Sequence, residues 1–184
     1  MKLIVGMLIV GACLMASADR ASAGMRDASC ESLDVQVTGA AAAGDIECRS
    51  GESGGGDEGK STDELLRVQG SLFVLVVLHV RAGVRTYINS IAAKDMIESF
   101  NSFDSTADWG SPKTTHDFTA RPFKGVFAGA STTMPCVGFS RHVGRVPGTT
   151  GYRHGLWGFY CDFLGEAVAD TKVEEILAGI EMDF

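Results

Sequence analysis

Residues Leu72–Val80, LFVLVVLHV, form the most apolar stretch that follows the first 23 residues. Their valine content and the length of the run favour a central β-strand buried on both faces over the alternative of a helix. A strand of this kind needs partner strands beside it and packing elements on both of its faces. The fold should therefore be organised around this segment.

Other segments supply candidate partners for the central strand. In these short runs apolar residues alternate with polar ones, or β-branched and aromatic residues cluster, which is typical of strands. The predicted strands are residues 33–37, 46–48, 84–88, 126–130, 133–139 and 156–163. Arg81–Gly83 predicts the turn that leads from the central strand to residues 84–88.

Two segments have the apolar spacing of helices. One helix is expected over Ser90–Phe103, and a C-terminal helix should begin with Asp170 or Thr171 as its N-cap. The apolar residues that carry this spacing are Ile91, Met96, Ile97 and Phe100 in the first helix and Val173, Ile176, Leu177 and Ile180 in the second. A short helical turn is also expected over Asp63–Val68, capped by Ser61 or Thr62.

Polar and glycine-rich segments predict the loops. Residues 49–62 (RSGESGGGDEGKST) should form a flexible surface loop, and residues 104–122 and 144–155 should form two more. The fold class that follows is α+β, in one exported domain over residues 24–184. We expect an antiparallel sheet of about five or six strands packed with a C-terminal helix and one further helix.

The first 23 residues have the order of a secretory signal peptide. Lys2 precedes an uncharged apolar run over Leu3–Ala16, and Ala21–Ala23 forms an A-x-A cleavage site before Gly24. The apolar run is shorter than the about 20 residues that a membrane span needs. The sequence therefore predicts a periplasmic or secreted bacterial protein whose mature chain begins at Gly24.

An alternative lies inside the same segment. Val10–Cys13 (VGAC) is similar to the lipobox of bacterial lipoproteins, in which the cysteine is lipidated. A lipid on Cys13 would anchor the protein to the envelope, and the sequence indicates membrane association only in that case.

Cleavage after Ala23 leaves four cysteines. An even number in an oxidising compartment suggests two disulfides, although four reduced core cysteines remain an alternative. The spacing favours two pairs that each bracket a hairpin, Cys30–Cys48 and Cys136–Cys161.

Two weak motifs concern cofactors. Gly54, Gly59, Lys60 and Ser61 fit the P-loop pattern, but no buried strand is predicted before them and two acidic residues lie inside the loop. Cys136, His142, His154 and Cys161 could ligate zinc, but their spacing matches no common zinc pattern, and a disulfide would remove the two thiolates. We therefore expect no cofactor and no metal, and the sequence marks no catalytic residue.

The C-terminal half contains the best candidate for a ligand surface. Residues 113–154 carry six basic and one acidic side chains in a protein of net charge −7. Basic and aromatic side chains that could bind an anionic, ring-bearing partner are Arg141, Arg145, Tyr152, Arg153, His154 and Trp157. The sequence thus indicates a non-enzymatic binding or structural module that meets an anionic envelope component and no nucleic acid. A small secreted hydrolase with an unmarked site is the alternative.

Overall fold

The computed structural model describes residues 24–54, 59–165 and 167–183, so the predicted signal peptide and lipobox lie outside the described residues. Two α-helices occur there, α1 (Ala93–Glu98) and α2 (Asp170–Ala178), with 3-10 turns at Cys30–Ser32 and Gly39–Ala42. The strands are β1 (Arg26–Asp27), β2 (Val35–Val37), β3 (Asp45–Ser53), β4 (Ser61–Gln69), β5 (Phe73–Ala82), β6 (Phe103–Ala107), β7 (Lys113–Thr115), β8 (Phe118–Phe127), β9 (Thr133–Arg145), β10 (Tyr152–Asp162) and β11 (Ile180–Met182). No helix in the described part of the chain is long and apolar enough to cross a membrane.

One antiparallel sheet of nine strands dominates the molecule. Its order is β1-β3-β4-β5-β10-β9-β8-β6, and β7 also pairs with β8. The segment that reads LFVLVVLHV lies in β5, between β4 and β10, so the prediction of a central strand is confirmed. A separate two-stranded sheet joins β2 to β11.

Both faces of the sheet are covered near its centre. The face that we call the α2 face packs against α2 and the β2–β11 sheet, through residues that include Leu66, Leu75, Val77, Phe139 and Leu156. The opposite α1 face packs against α1, through residues that include Val74, Phe123, Cys136, Phe159 and Cys161. Side chains alternate between the faces along a strand, so a strand covered on both sides must be apolar at every position.

The fold class is mostly β, and the predicted α+β class with five or six strands is corrected in this respect. Residues 63–68 lie in β4 and not in a helical turn, and residues 104–122, predicted as a loop, contribute to β6, β7 and β8. Strands near the edge of a sheet expose many polar side chains, so they lack a clear apolar pattern. In β8 the alternation that Phe118 and Ala120 begin on one face stops at Pro122, a residue that usually argues against a strand, and Phe123 is buried on the other face.

The predicted loops and turns are partly replaced by strands. Residues 49–53 and 61–62 of the expected Gly-rich loop belong to β3 and β4. The expected loop over residues 144–155 shrinks to residues 146–151, because β9 and β10 extend toward each other. Residues 84–88 do not form a strand, and only Ile88 makes an isolated bridge, to Tyr152.

The two predicted helices are present but short. The first, expected over Ser90–Phe103, extends only over Ala93–Glu98. The C-terminal helix begins after Ala169, which replaces Asp170 and Thr171 as N-cap, and Ile180 belongs to β11 instead of the helix. Its apolar residues Ile176 and Leu177 are buried against the sheet, as the spacing predicts.

Both expected disulfides are present. Cys30 and Cys48 are joined with 5.2 Å between their Cα atoms, and Cys136 and Cys161 with 4.1 Å. Cys136 and Cys161 lie directly opposite each other on β9 and β10, which places the second bridge in the middle of the sheet. Two disulfides indicate an extracellular or otherwise oxidising compartment.

Candidate functional site

Three ionisable side chains form a continuous line of contacts on the α2 face. Glu64 on β4 lies opposite His79 on β5, and His154 lies at the start of β10. The Nδ1 atom of His79 is 2.9 Å from Oε2 of Glu64, and Nε2 of His79 is 3.1 Å from Nδ1 of His154. We call these residues the Glu–His–His array. It occupies the end of the face where β5 ends and β10 begins.

Burial makes this array unusual. The exposed fractions of Glu64 and His79 are 4% and 1%, and His154 is half-buried. Withdrawing a carboxylate and two imidazoles from water costs more free energy than burying apolar side chains of the same size. Such groups therefore need good partners, and in the array each ring or carboxylate contacts the next one.

The contacts fix the charge of Glu64. Burial would raise the pKa of this carboxyl, but hydrogen bonds from His79 and from the backbone N–H groups of Asp34 and Val35, with the charge of His79, outweigh it. The pKa of Glu64 consequently lies below its ordinary value. Glu64 is therefore an ionised acceptor, and Nδ1 of His79 must carry the proton that it donates.

The two imidazole rings are aligned for a hydrogen bond. Their planes differ by 2°, and their centroids lie 5.4 Å apart although two nitrogens approach to 3.1 Å. This combination places the rings edge to edge in nearly one plane, so that the two nitrogens point at each other. When both rings are neutral, Nδ1 of His154 donates to Nε2 of His79, because Nδ1 of His79 already donates to Glu64.

His154 is neutral at neutral pH. Burial, and next the charge of His79, lower the pKa of its imidazole. Arg81 lies opposite His154 in the β5–β10 register and also disfavours the imidazolium, whereas Asp34 and Glu64 favour it. The net direction is a pKa below the ordinary value of a histidine.

Asp34 connects the array to the segment that covers the α2 face. Its backbone N–H lies 3.0 and 3.1 Å from the two carboxylate oxygens of Glu64. Its side chain pairs with Arg81 at 2.8 Å. The residue before β2 is thus attached to the sheet beside the array.

Asp34, Glu64 and His79 could also be read as a metal site, because their ligand atoms lie within 4.8 Å of one another. Two oxygens and one imidazole nitrogen suit a divalent cation. Two contacts oppose a cation, since the guanidinium of Arg81 already pairs with Asp34 and the carboxylate of Glu64 already accepts two hydrogen bonds. The geometry fits a proton between Glu64 and His79 better than a metal ion.

Three side chains hold the loop of residues 83–92 against the sheet, two of them members of the predicted ligand surface. Nη1 of Arg153 lies 2.9–3.1 Å from three backbone carbonyl oxygens of this loop. Trp157 is buried and donates its indole N–H to the carbonyl of Ile91, and His142 accepts the N–H of the same residue at 3.4 Å. The hydrogen-bonding groups of Arg153 and Trp157 therefore have structural partners.

The other predicted residues lie nearer to solvent. Arg141 places its guanidinium 5.5 Å from the centroid of the Phe118 ring and 3.5 Å from Asp117, and its Nε has no hydrogen-bond partner among the described residues. Arg145 is exposed at the end of β9. The ring of Tyr152 contacts that of His142, with centroids 5.2 Å apart. The structure thus distributes the six residues over several local environments instead of one continuous patch.

The two weak motifs have structural contexts of their own. Gly54, Gly59 and Lys60 lie between β3 and β4, and Ser61 begins β4, so the P-loop pattern leads into a strand where a P-loop would lead into a helix. Lys60 pairs with Glu52 at 3.1 Å. Cys136 and Cys161 are oxidised, and His142 contacts Trp157 while His154 contacts His79, so these four residues do not converge on one point.

Sequence reasoning missed Glu64 and His79. The sequence predicts His79 only as part of the central strand and Glu64 only as part of a helical turn. One signal was available, because His79 is the only ionisable residue within the run LFVLVVLHV. A histidine at a position that must be buried needs a hydrogen-bond partner, and that requirement predicts a polar residue on the neighbouring strand.

No protein family, curated protein or solved structure was found to match this chain.

Proposed function

We propose that the protein is an exported, disulfide-stabilised domain that binds an anionic component of the bacterial envelope. The two disulfides support an oxidising compartment. Arginines gathered at one end of the large sheet support the choice of an anionic partner. Five of the ten arginines lie there. Arg81 is at the end of β5 and Arg85 in the loop that follows, Arg141 and Arg145 are at the end of β9, and Arg153 is at the start of β10.

The neighbours of Arg141 and Arg153 leave part of the positive charge of these two side chains uncompensated. Asp34 pairs with Arg81, and Asp117 lies at 3.5 Å from Arg141, which is long for an ion pair. The three carbonyl oxygens around Nη1 of Arg153 accept hydrogen bonds but carry no net charge. An anion at this end would therefore meet several guanidinium groups, which bind phosphate and carboxylate groups with directed hydrogen bonds.

Binding to sodium tripolyphosphate, measured by calorimetry at two salt concentrations, tests this proposal. The double variant Arg141→Gln/Arg145→Gln should bind up to about fivefold more weakly per arginine, since an exposed ion pair contributes up to about 1 kcal/mol. The affinity should also fall with added salt, which screens exposed charges. Arg26→Gln on β1 is the matched control, because Arg26 is exposed on an edge strand that β3 and β4 separate from β5.

The proposal fails if the double variant and the control bind alike, or if the affinity does not respond to salt. In that case the domain has a purely structural role, which is the other form of a non-enzymatic module. Anchoring through a lipid on Cys13 is compatible with either role, and labelling with radioactive palmitate tests it. The alternative of a small hydrolase depends on a different feature, the Glu–His–His array.

A further inference from the structure

We propose that the Glu–His–His array is an acid–base catalytic site that activates water for the hydrolysis of an ester. In this assignment His154 exchanges the proton with water and substrate, and His79 and Glu64 are positioning residues. The inference does not require the anion binding proposed above.

The order of the groups carries the inference. A buried carboxylate holds the Nδ1–H of His79, and Nε2 of His79 faces a second proton-bearing group. The same order of carboxylate, imidazole and proton donor fixes the tautomer of the histidine in catalytic triads. Here His154 occupies the third position, so the carboxylate fixes two tautomers in succession. When both rings are neutral, His154 therefore carries its proton on Nδ1, and its Nε2 is the basic nitrogen.

The location of the three groups matches their roles. Glu64 and His79 are buried, and their neighbours on the α2 face include Leu66, Val77 and Leu156, so water does not compete for their hydrogen bonds. His154 is half-buried at the end of the sheet, so it is the member of the array that a water molecule or a substrate can approach.

The hydrolytic step is balanced within this geometry. Nε2 of His154 accepts a proton from a water molecule while the water oxygen forms a bond to the ester carbon. The resulting imidazolium keeps its Nδ1–H directed at Nε2 of His79, and Glu64 remains an anion that stabilises the added charge. When the tetrahedral intermediate collapses, the bond to the leaving oxygen breaks and His154 returns the proton to that oxygen. The products are one carboxylic acid and one alcohol, with no oxidant or cofactor consumed.

The charged groups around His154 determine the expected pH dependence. Asp34 faces it from the segment before β2, Glu64 from β4, and His79 and Arg81 from β5. Arg141 on β9 lies opposite Leu156, which is two residues after His154 on β10. Burial, with the charges of His79 and Arg81, outweighs the opposing effect of Asp34 and Glu64 and places the pKa of His154 below its ordinary value of 6.5. The rate should therefore rise with pH through a midpoint below 6.5 and then become constant.

Hydrolysis of 4-nitrophenyl acetate by the full mature chain, followed by nitrophenol release between pH 4.5 and 8, tests the inference. His154→Gln should lower the rate by about 100-fold, the range of general acid–base catalysis. His116→Asn is the matched control, because His116 is exposed in the β7–β8 turn with a φ of 48°, which asparagine tolerates. This control should keep the rate of the parent protein.

Glu64→Gln gives a second, independent readout. The amide that this substitution introduces can donate to Nδ1 of His79, which places the proton of His79 on Nε2. Nε2 of His79 then donates to Nδ1 of His154, so that the proton of His154 moves to its Nε2. Nε2 of His154 is then no longer available as a base. Nitrogen NMR of the histidine rings should show Nδ1–H on His154 in the parent protein and Nε2–H in the folded variant. Equal rates for the parent and His154→Gln would overturn the inference, as would a parent His154 protonated on Nε2. Neither result bears on the binding of tripolyphosphate, so the inference and the proposed function fail independently.

Discussion

At the scale of single residues, the most consequential feature is that several polar groups withdrawn from water have fixed partners. Glu64 and His79 are the clearest case, since each contacts a defined atom of the other. Half-buried Arg153 is a second case, with one terminal nitrogen among three carbonyl oxygens of the loop at residues 83–92. The buried Nε of Arg141 is an exception, without a hydrogen-bond partner among the described residues. Because a buried polar group without a partner costs free energy, removal of one member should affect the others.

Glu64→Gln should destabilise the fold by about 2 kcal/mol at pH 7, because it removes a buried charged acceptor. The pKa of Glu64 is lower in the folded protein than its ordinary value of 4.5. The contribution is therefore complete above about pH 4.5 and is lost as the pH falls through the lower pKa of the folded state. Urea unfolding of both proteins at pH 7 and at pH 3 should show a difference that shrinks on acidification. A difference that is larger at pH 3 would contradict this assignment.

Arg153→Gln should release the loop at residues 83–92 and cost about 1 to 2 kcal/mol, the value of one or two lost hydrogen bonds to a charged donor. Arg85 lies in this loop, so cleavage by trypsin after Arg85 should become faster. Arg145→Gln is the control, because Arg145 is exposed and lies on the neighbouring strand. The expectation is wrong if both variants are cleaved at the rate of the parent protein.

At the scale of elements, the two disulfides reinforce the sheet covalently at different places. Cys136–Cys161 joins adjacent central strands, and Cys30–Cys48 attaches the segment before β2 to β3. Gly158 on β10 has no room for a side chain between β5 and β9. A Cβ there would lie 2.2 Å from the carbonyl oxygen of Val76 and 2.5 Å from the ring of Phe139. Close packing of β10 thus depends on a residue without a side chain.

Replacing Cys136 and Cys161 by alanine should lower the free energy of unfolding by about 3.5 kcal/mol, given the separation of 25 residues in the chain. The corresponding change at Cys30 and Cys48, with a separation of 18, should cost about 3 kcal/mol. Urea unfolding without reductant measures both values. If addition of dithiothreitol leaves the parent protein as stable as before, the bridges do not constrain the unfolded chain.

At the scale of the whole molecule, the two ends of the described chain form one cover. The strand β2 pairs with β11, and the N–H of Asp183 donates to the carbonyl of Asp34 at 2.8 Å. The ion pair between Lys113 and Asp170, at 2.6 Å, joins β7, in the basic segment of residues 113–154, to the start of α2.

Leu177→Ala should cost about 2 to 5 kcal/mol, because Leu177 is buried between α2 and the sheet. Since β11 follows α2 directly, loosening the helix should also reduce hydrogen-exchange protection in β2 at the other end of the chain. Glu174→Ala, on the exposed side of the same helix, should change stability by less than about 0.5 kcal/mol. Loss of protection in β11 without any change in β2 would show that the two ends do not unfold together.

The sequence by itself determined the central strand, the cysteine pairing and the apolar side of the C-terminal helix, because these depend on local composition and spacing. Leu72–Val80 is apolar at almost every position since both its faces are covered, and this can be recognised without the partner strands. The edge strands could not be recognised in this way. Lys113–Thr115 forms a strand only because β8 offers hydrogen bonds to its backbone, and its side chains stay exposed.

Only the tertiary structure decided which polar residues come together. Glu64, His79 and His154 are separated by 15 and 75 positions in the chain, and antiparallel pairing of three strands brings them into contact. Strand alternation likewise separates His154, beside His79, from Trp157, which holds the loop at residues 83–92. A strand presents adjacent residues to opposite faces, so one contiguous segment of sequence supplies two different environments, and the register of its neighbours determines what each side chain meets.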